Sequence, residues 1–438
     1  MSDLSSQNSD TAAASLAVRE ISNLQRIRAI VVGSTGNLIE WYDFYVYAFM
    51  ALHFASSFFP EGDRTAQLLN VAGIYAAGFL IRPLGGWYFG RYADRHGRKS
   101  SIVFSILLMG GGSALIAFLP THATIGAAAP LALLLARLIQ GFSTGGLYGA
   151  SATYLSEVAT KKSRGFYASF HFVTLIGGQL AALFVLIVIQ QFFKEEEIHD
   201  WAWRIPFALG ALLAVAFVFL RHGMHETNAR AQKQEGAGSL QALFRHPGAL
   251  FIVVSLTASG AVVLYGFTTY MQKFLVNTAG MDIRSASYVM TGAMVVFMLL
   301  QPIIGCFSDI IGRRKCLLIF TSVMTFSAVP IFTALESVQN PYIAFALVAL
   351  ALTILSFYTS VSGLFKAELF PAHVRALGVG LAHSFSAAVF GGSAEYIALW
   401  FKQAGHESWF YWYMATVCAL SFIVAVRMTE PTRADMIY

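Results

Sequence analysis

Charge is scarce in this chain of 438 residues: only 12% are Asp, Glu, Lys or Arg, about half the share of a soluble domain. That shortage excludes an ordinary soluble enzyme. Cysteine is rarer still, and Cys306, Cys316 and Cys418 all fall in apolar segments or at their ends, so packing is expected of them rather than a disulfide framework. The sequence also lacks an HExxH-like pair, a metal-ligand cluster, a nucleophile elbow and a GxxxxGK[ST] loop. These gaps argue against a metalloenzyme, an acyl-transfer enzyme and an ATP-driven pump, and no metal or cofactor is expected. Residues 1–27 are polar, rich in Ser and Ala, and without the short apolar core of a cleavable signal. A disordered cytoplasmic tail is expected there.

What the chain has in place of charge is hydrophobic length, with 57% apolar residues. Stretches near 28–52, 66–90, 100–119, 129–154, 166–192 and 203–220 are each long enough to cross a bilayer as a helix. Six more follow near 248–273, 285–306, 315–335, 341–365, 374–400 and 409–427. Their apolar runs are continuous where barrel strands would alternate, so helices are expected. The reading is an all-α membrane protein of 12 transmembrane helices in two pseudo-symmetric bundles. Residues 28–221 and 248–427 form the bundles, 222–247 a polar central loop and 428–438 a C-terminal tail.

The net charge of +6 invites a nucleic-acid reading, but its distribution decides otherwise. With the N-terminus inside, 21 of the 29 Lys and Arg lie in inner tails and loops, six lie toward the outer side, and Arg82 and Arg137 lie within spans. The positive-inside bias therefore places both termini in the cytoplasm. Basicity here is topology, and no nucleic-acid partner is expected.

The chain repeats itself. Gly90, Asp94, Gly97 and Arg98, in the loop after segment 2, are answered 215 positions later by Gly305, Asp309, Gly312 and Arg313. Glu157 and Arg164 are answered 211 positions later by Glu368 and Arg375. Two similar halves follow from such periodicity. Gly97 and Gly312 suit a tight turn with positive φ.

A few charges lie inside the expected spans. Segment 1 carries Asn37, Glu40 and Tyr47 along one helical face, with Asp43 slightly off it. An intramembrane carboxylate costs about 2.5–3.5 kcal/mol on insertion scales, so the pair implies a partner or a wet cavity, and burial suits a proton carrier. Arg82 sits roughly 12 Å from the inner end of segment 2, near the midplane, with Tyr75 two turns away. Its planar fork suits a carboxylate; pairing with Glu40 or Asp43 is the competing role, and the two are compatible in different states. Segment 4 holds Arg137 and then Ser143, Thr144, Gly145, Gly146 and Gly149, a run that permits close packing or sliding. Tyr270 and Lys273 in segment 7 lie at the depth of Glu395 in segment 11, so Lys273 either pairs with Glu395 as an outer gate or meets an anion. Snorkelling of Lys273 to the headgroups is the bland alternative. His53, His171 and His383 are read as packing residues.

Two six-helix halves, the repeated Gly/Asp/Gly/Arg loop, Arg137-Leu138-Ile139-Gln140-Gly141 and a long central loop together resemble the major facilitator superfamily. Within it, Gly36-Asn37-Leu38-Ile39-Glu40-Trp41-Tyr42-Asp43, Arg82-Pro83-Leu84-Gly85-Gly86 and Trp203-Arg204-Ile205-Pro206-Phe207 are similar to the metabolite:proton symporter branch. Further strings, including Phe267 to Lys273, Ser356 to Ser360 and Gly392 to Tyr396, extend the likeness. The resemblance implies alternating access and proton-coupled symport of a dicarboxylate, α-ketoglutarate being the expectation. Citrate, shikimate or a zwitterionic osmolyte are the alternatives within the branch. It implies a monomer in a bacterial inner membrane whose partners are a small organic anion, protons and lipid. Arg82, Tyr75, Tyr47, Tyr270, Lys273 and Tyr358 are the expected substrate contacts, and Glu40, Asp43 and Arg137 the expected proton-coupling groups. The gating set is Asp94, Arg98, Glu157, Arg164, Asp309, Arg313, Glu368, Arg375 and Glu395, with the acids closing the cytoplasmic side. Leu147 departs from the resembled pattern, which has an acid there, and so puts coupling in question.

The expected mid-membrane charges are Arg82, Arg137 and Lys273 against Glu40, Asp43 and Glu395, a balance of zero. An entering dianion takes over a cation only if an acid releases it, and protonation is the simplest release.

Overall fold

The computed structural model describes residues 23–96, 98–145, 148, 152, 163–220, 239–371 and 374–431. Every expected span is helical within that range. Helix α1 runs Asn23–Phe58, so the last residues of the expected tail are already helix. Segment 2 breaks at Ile81 into α2 (Arg64–Leu80) and α3 (Arg82–His96), and Asp63 caps its start by accepting from the Ala66 amide at 2.8 Å. The first half continues with α4 (Arg98–Phe118), α5 (Ala128–Thr144), α6 (Arg164–Phe192) and α7 (Ile205–Leu220).

The second half opens with α8 (Pro247–Tyr265), a π-helical turn at Gly266–Tyr270 and α9 (Met271–Asn277), together one span. Then come α10 (Ile283–Ile311), α11 (Arg313–Glu336) and α12 (Pro341–Glu368). Segment 11 is likewise interrupted, as α13 (Arg375–Ser386), a π turn at Ala387–Gly391 and α14 (Ala394–Gln403). Helix α15 (Ser408–Arg427) ends the bundle. Gly312, between α10 and α11, has φ 95°, the positive value a Cβ would oppose. Its counterpart Gly97 lies outside the described residues.

The halves meet along two lines: α6 against α10 and α12, and α2 and α3 against α13 and α14. At the loop end of the first line Gly165 and Gly305 face each other, and a Cβ on either would strike the carbonyl oxygen of the other. Within the first half Gly141 and Gly145 bring α5 onto the carbonyls of Gly78 and Arg82, the close packing that the small-residue run permits. Gly146, Leu147, Gly149 and Glu157 lie outside the described residues. Large side chains such as Phe118, Phe192 and Phe326 cover the outside, as a hydrocarbon solvent requires.

Candidate functional site

Where the halves join, Trp41 of α1, Leu175 of α6, Tyr265 of α8, Tyr358 of α12 and His383 of α13 enclose a cavity together with Tyr148. Its volume of 20 Å³ holds about one water, so an organic anion enters only when the halves separate.

Arg82 does not line this cavity itself but touches two residues that do, Trp41 and Tyr265. Its guanidinium carbon stands 3.8 Å from the Phe79 ring centre, 4.3 Å from Phe44 and 5.5 Å from Trp41, and the group also interacts with the Tyr265 hydroxyl. Nε and Nη2 have no hydrogen-bond partner. Glu40 is the nearby acid whose charge it feels, yet no ion pair closes between them. A buried cation with two unused donors beside a cavity is prepared for a planar anion.

Asp43 belongs to a different group. Ser113 donates to its Oδ2, Gln140 Nε2 reaches the same oxygen at 3.2 Å and Ser113 at 2.6 Å, and Oδ1 lies against Gly210 without a hydrogen bond. Arg137 donates to Gln140 Oε1 at 2.6 Å and lies over the rings of Tyr47, at 4.3 Å, and Phe44, at 4.7 Å. Gln140 therefore stands between the aspartate and the arginine. Glu40 and Asp43, three residues apart, face different partners, and the expectation that Arg82 meets Asp43 is replaced by this arrangement.

Tyr358 lines the cavity, but the other expected tyrosines do not in this state. Tyr47 donates to the Val71 carbonyl at 3.1 Å, and Tyr75 stacks on it, both beside Arg137. Tyr270 donates to Glu407 at 2.7 Å, in an outer-end cluster where Lys402 meets Glu407 at 3.0 Å and Thr278 at 2.5 Å. Lys273 donates to Glu395 at 2.5 Å, both fully enclosed. The pair is one of the two arrangements expected of Lys273, and both helices that form it, α9 and α14, belong to the second half.

At the loop end, charges do bridge the halves. Asp309 of α10 accepts from the amides of Gly165 and Phe166, at 2.8 and 3.2 Å, and so caps α6 of the other half. Glu368 stands 3.8 Å from both Arg164 across the interface and Arg313 within its own half, and Arg313 meets Asp309 at 3.0 Å. Glu430, unnoticed in the sequence, accepts from the amides of Arg313 and Arg314. Arg375 instead donates to the carbonyls of Ala367 and Phe370, which shapes the turn into α13. The side chains of Asp94 and Arg98, like Glu157, lie outside the described residues.

Sequence reasoning missed Lys366, counted there among loop cations. It is wholly buried and hydrogen-bonded to Ser362, His383 and Tyr148. The expected span ended one residue short of it, whereas the helix runs to Glu368.

This architecture, with a small cavity between two similar halves and charges buried around it, is that of a membrane carrier. The chain belongs to the sugar (and other) transporter family, whose family model matches residues 29–229 and 222–434. It is 55% identical to the alpha-ketoglutarate permease of Escherichia coli (strain K12), over 92% of this chain and 94% of that one. It is 32% identical to the shikimate transporter of the same strain, over 94% and 97%, and 29% identical to the proline/betaine transporter of Salmonella typhimurium, over 92% and 83%. The proton:xylose symporter XylE, solved with 6-bromo-6-deoxy-D-glucose, superposes with a TM-score of 0.77 at 18% identity, covering 93% of this chain and 96% of that one.

Proposed function

We propose that this protein carries α-ketoglutarate into the cell together with protons, by alternating access across the bacterial inner membrane, with both termini in the cytoplasm. The observation that carries this is Arg82, a buried guanidinium with two unpartnered nitrogens beside a cavity between the halves. The name of the 55% identical relative points to the same substrate. Arg82 receives one carboxylate, and Glu40, which shares its field, releases it on taking up a proton. Asp43 is the second proton site, linked through Gln140 to Arg137. With Leu147 where the resembled pattern has an acid, the proton load rests on these two carboxylates. Asp309, Arg313, Glu368 and Arg164 hold the cytoplasmic side shut while the outer side opens, and parting them starts release.

The test is uptake of labelled α-ketoglutarate by proteoliposomes under an imposed pH gradient, acid outside. Saturable accumulation that a protonophore collapses is expected, with Arg82→Lys raising KM at least tenfold because an ammonium lacks the planar fork. Uptake that neither saturates nor responds to the gradient overturns the proposal.

A further inference from the structure

We infer that Lys366 binds the distal carboxylate of the substrate, so that the cavity grips a dicarboxylate from two cationic ends. The inference deepens the function proposed above and rests on it. Lys366 Nζ is completely buried, and its partners are Ser362 Oγ at 2.9 Å, His383 Nδ1 at 3.0 Å and the Tyr148 hydroxyl at 3.2 Å. All three are neutral hydrogen-bonding groups when the ammonium donates to them. Among the described residues no carboxylate forms an ion pair with it. The other buried lysine, Lys273, differs in just this respect, since Glu395 meets it at 2.5 Å.

The neighbours of Lys366 point it toward the cavity. Tyr148 and His383 both line that space and stack with ring centres 3.4 Å apart, and Tyr358, also in the lining, has its ring 5.6 Å from the ammonium. Tyr148 comes from the first half, whereas Ser362, Lys366 and His383 come from the second, so the group sits on the seam that must open. His383, a partner of Lys366, lines the cavity, and Arg82 lies 5.5 Å from the ring of Trp41 in the same lining. The 2-oxo acid end of the substrate takes Arg82, and the far carboxylate takes the place of the Ser362 hydroxyl on Lys366. His383 and Tyr148 then orient the ammonium as positioning residues. His171, edge-on to Tyr148, adds no negative charge. A lysine that merely packs would leave ligand preference unchanged; a lysine that binds the second carboxylate sets it.

The experiment compares dissociation constants of the full-length transporter for α-ketoglutarate and for 2-oxobutanoate, which keeps the 2-oxo acid head and lacks the second carboxylate. Lys366→Gln is expected to lower the preference for α-ketoglutarate at least tenfold while changing 2-oxobutanoate affinity less than threefold. Lys366→Arg, which keeps the charge, is expected to retain the preference. Equal loss of both ligands, or loss of neither, in monodisperse Lys366→Gln overturns the inference. Should that variant fail to fold, Lys366→Arg decides, and a preference lost there overturns it as well. If the unaltered protein does not bind α-ketoglutarate, the proposed function itself fails, a result distinct from these.

Discussion

Single side chains here do work that burial makes expensive. Asp43, almost wholly buried, accepts from Ser113 and Gln140 on one oxygen and has no partner on the other, so a proton can arrive without displacing a hydrogen bond. Because an intramembrane carboxylate costs about 2.5–3.5 kcal/mol to bury ionised, the protonation proposed for Asp43 would relieve that penalty. Asp43→Asn keeps the shape and removes the titration. We expect it to preserve α-ketoglutarate exchange across equilibrated vesicles within about threefold and to lower pH-driven accumulation more than tenfold, measured with the same labelled substrate. Loss of both activities together would assign Asp43 to structure. Arg137, between the Tyr47 and Phe44 rings and tied to Gln140, holds this unit in place.

At the scale of helices, the loop-end contact between α6 and α10 is where backbone and charge both join the halves. Gly165 and Gly305 let the two backbones touch, and Asp309 caps the helix of the opposite half. Both features would be lost if that side opened, as the proposed cycle requires. Glu368→Gln removes the acid between Arg164 and Arg313, and breaking one partner of a buried pair typically costs about 3–5 kcal/mol, comparable with the few that separate two states of such a carrier. Gly305→Val should act in the same direction by sterics. Both substitutions are expected to widen spin-label distances across the loop end of α6 and α10 and to cut transport at least tenfold while the helical content stays unchanged. Unaltered distances would show that the contact does not bias the cycle. The π turns at Gly266–Tyr270 and Ala387–Gly391 interrupt the two spans that carry Lys273 and Glu395, the kind of local break at which a helix can bend.

For the molecule as a whole the membrane potential sets the accounting. Moving a dianion into a negative interior opposes uptake by about 4.6 kcal/mol per 100 mV, twice the single-charge figure. Two protons cancel that opposition and one leaves half of it. With Glu40 and Asp43 as separate acids facing separate partners, we expect more than one proton to enter per α-ketoglutarate and only a weak effect of an imposed potential on uptake. A pH electrode outside the vesicles, read against labelled substrate, gives the ratio. A value below one would mean that neither carboxylate couples.

The helical spans, their division into two related halves and the burial of Arg82, Asp43 and Lys273 could be read from the chain. Lipid acts on each segment by itself, so hydrophobic length and loop charge carry that information locally. The glycine run of segment 4 announced close packing, and Glu368 with Arg313 announced a loop-end pair. Partnership between distant helices was not legible: that Gln140 stands between Asp43 and Arg137, that Glu395 is taken by Lys273 of its own half, and that Lys366 is buried at the seam facing Tyr148. Those contacts depend on how each helix is rotated and tilted against its neighbours, which packing between small residues decides and no single segment encodes.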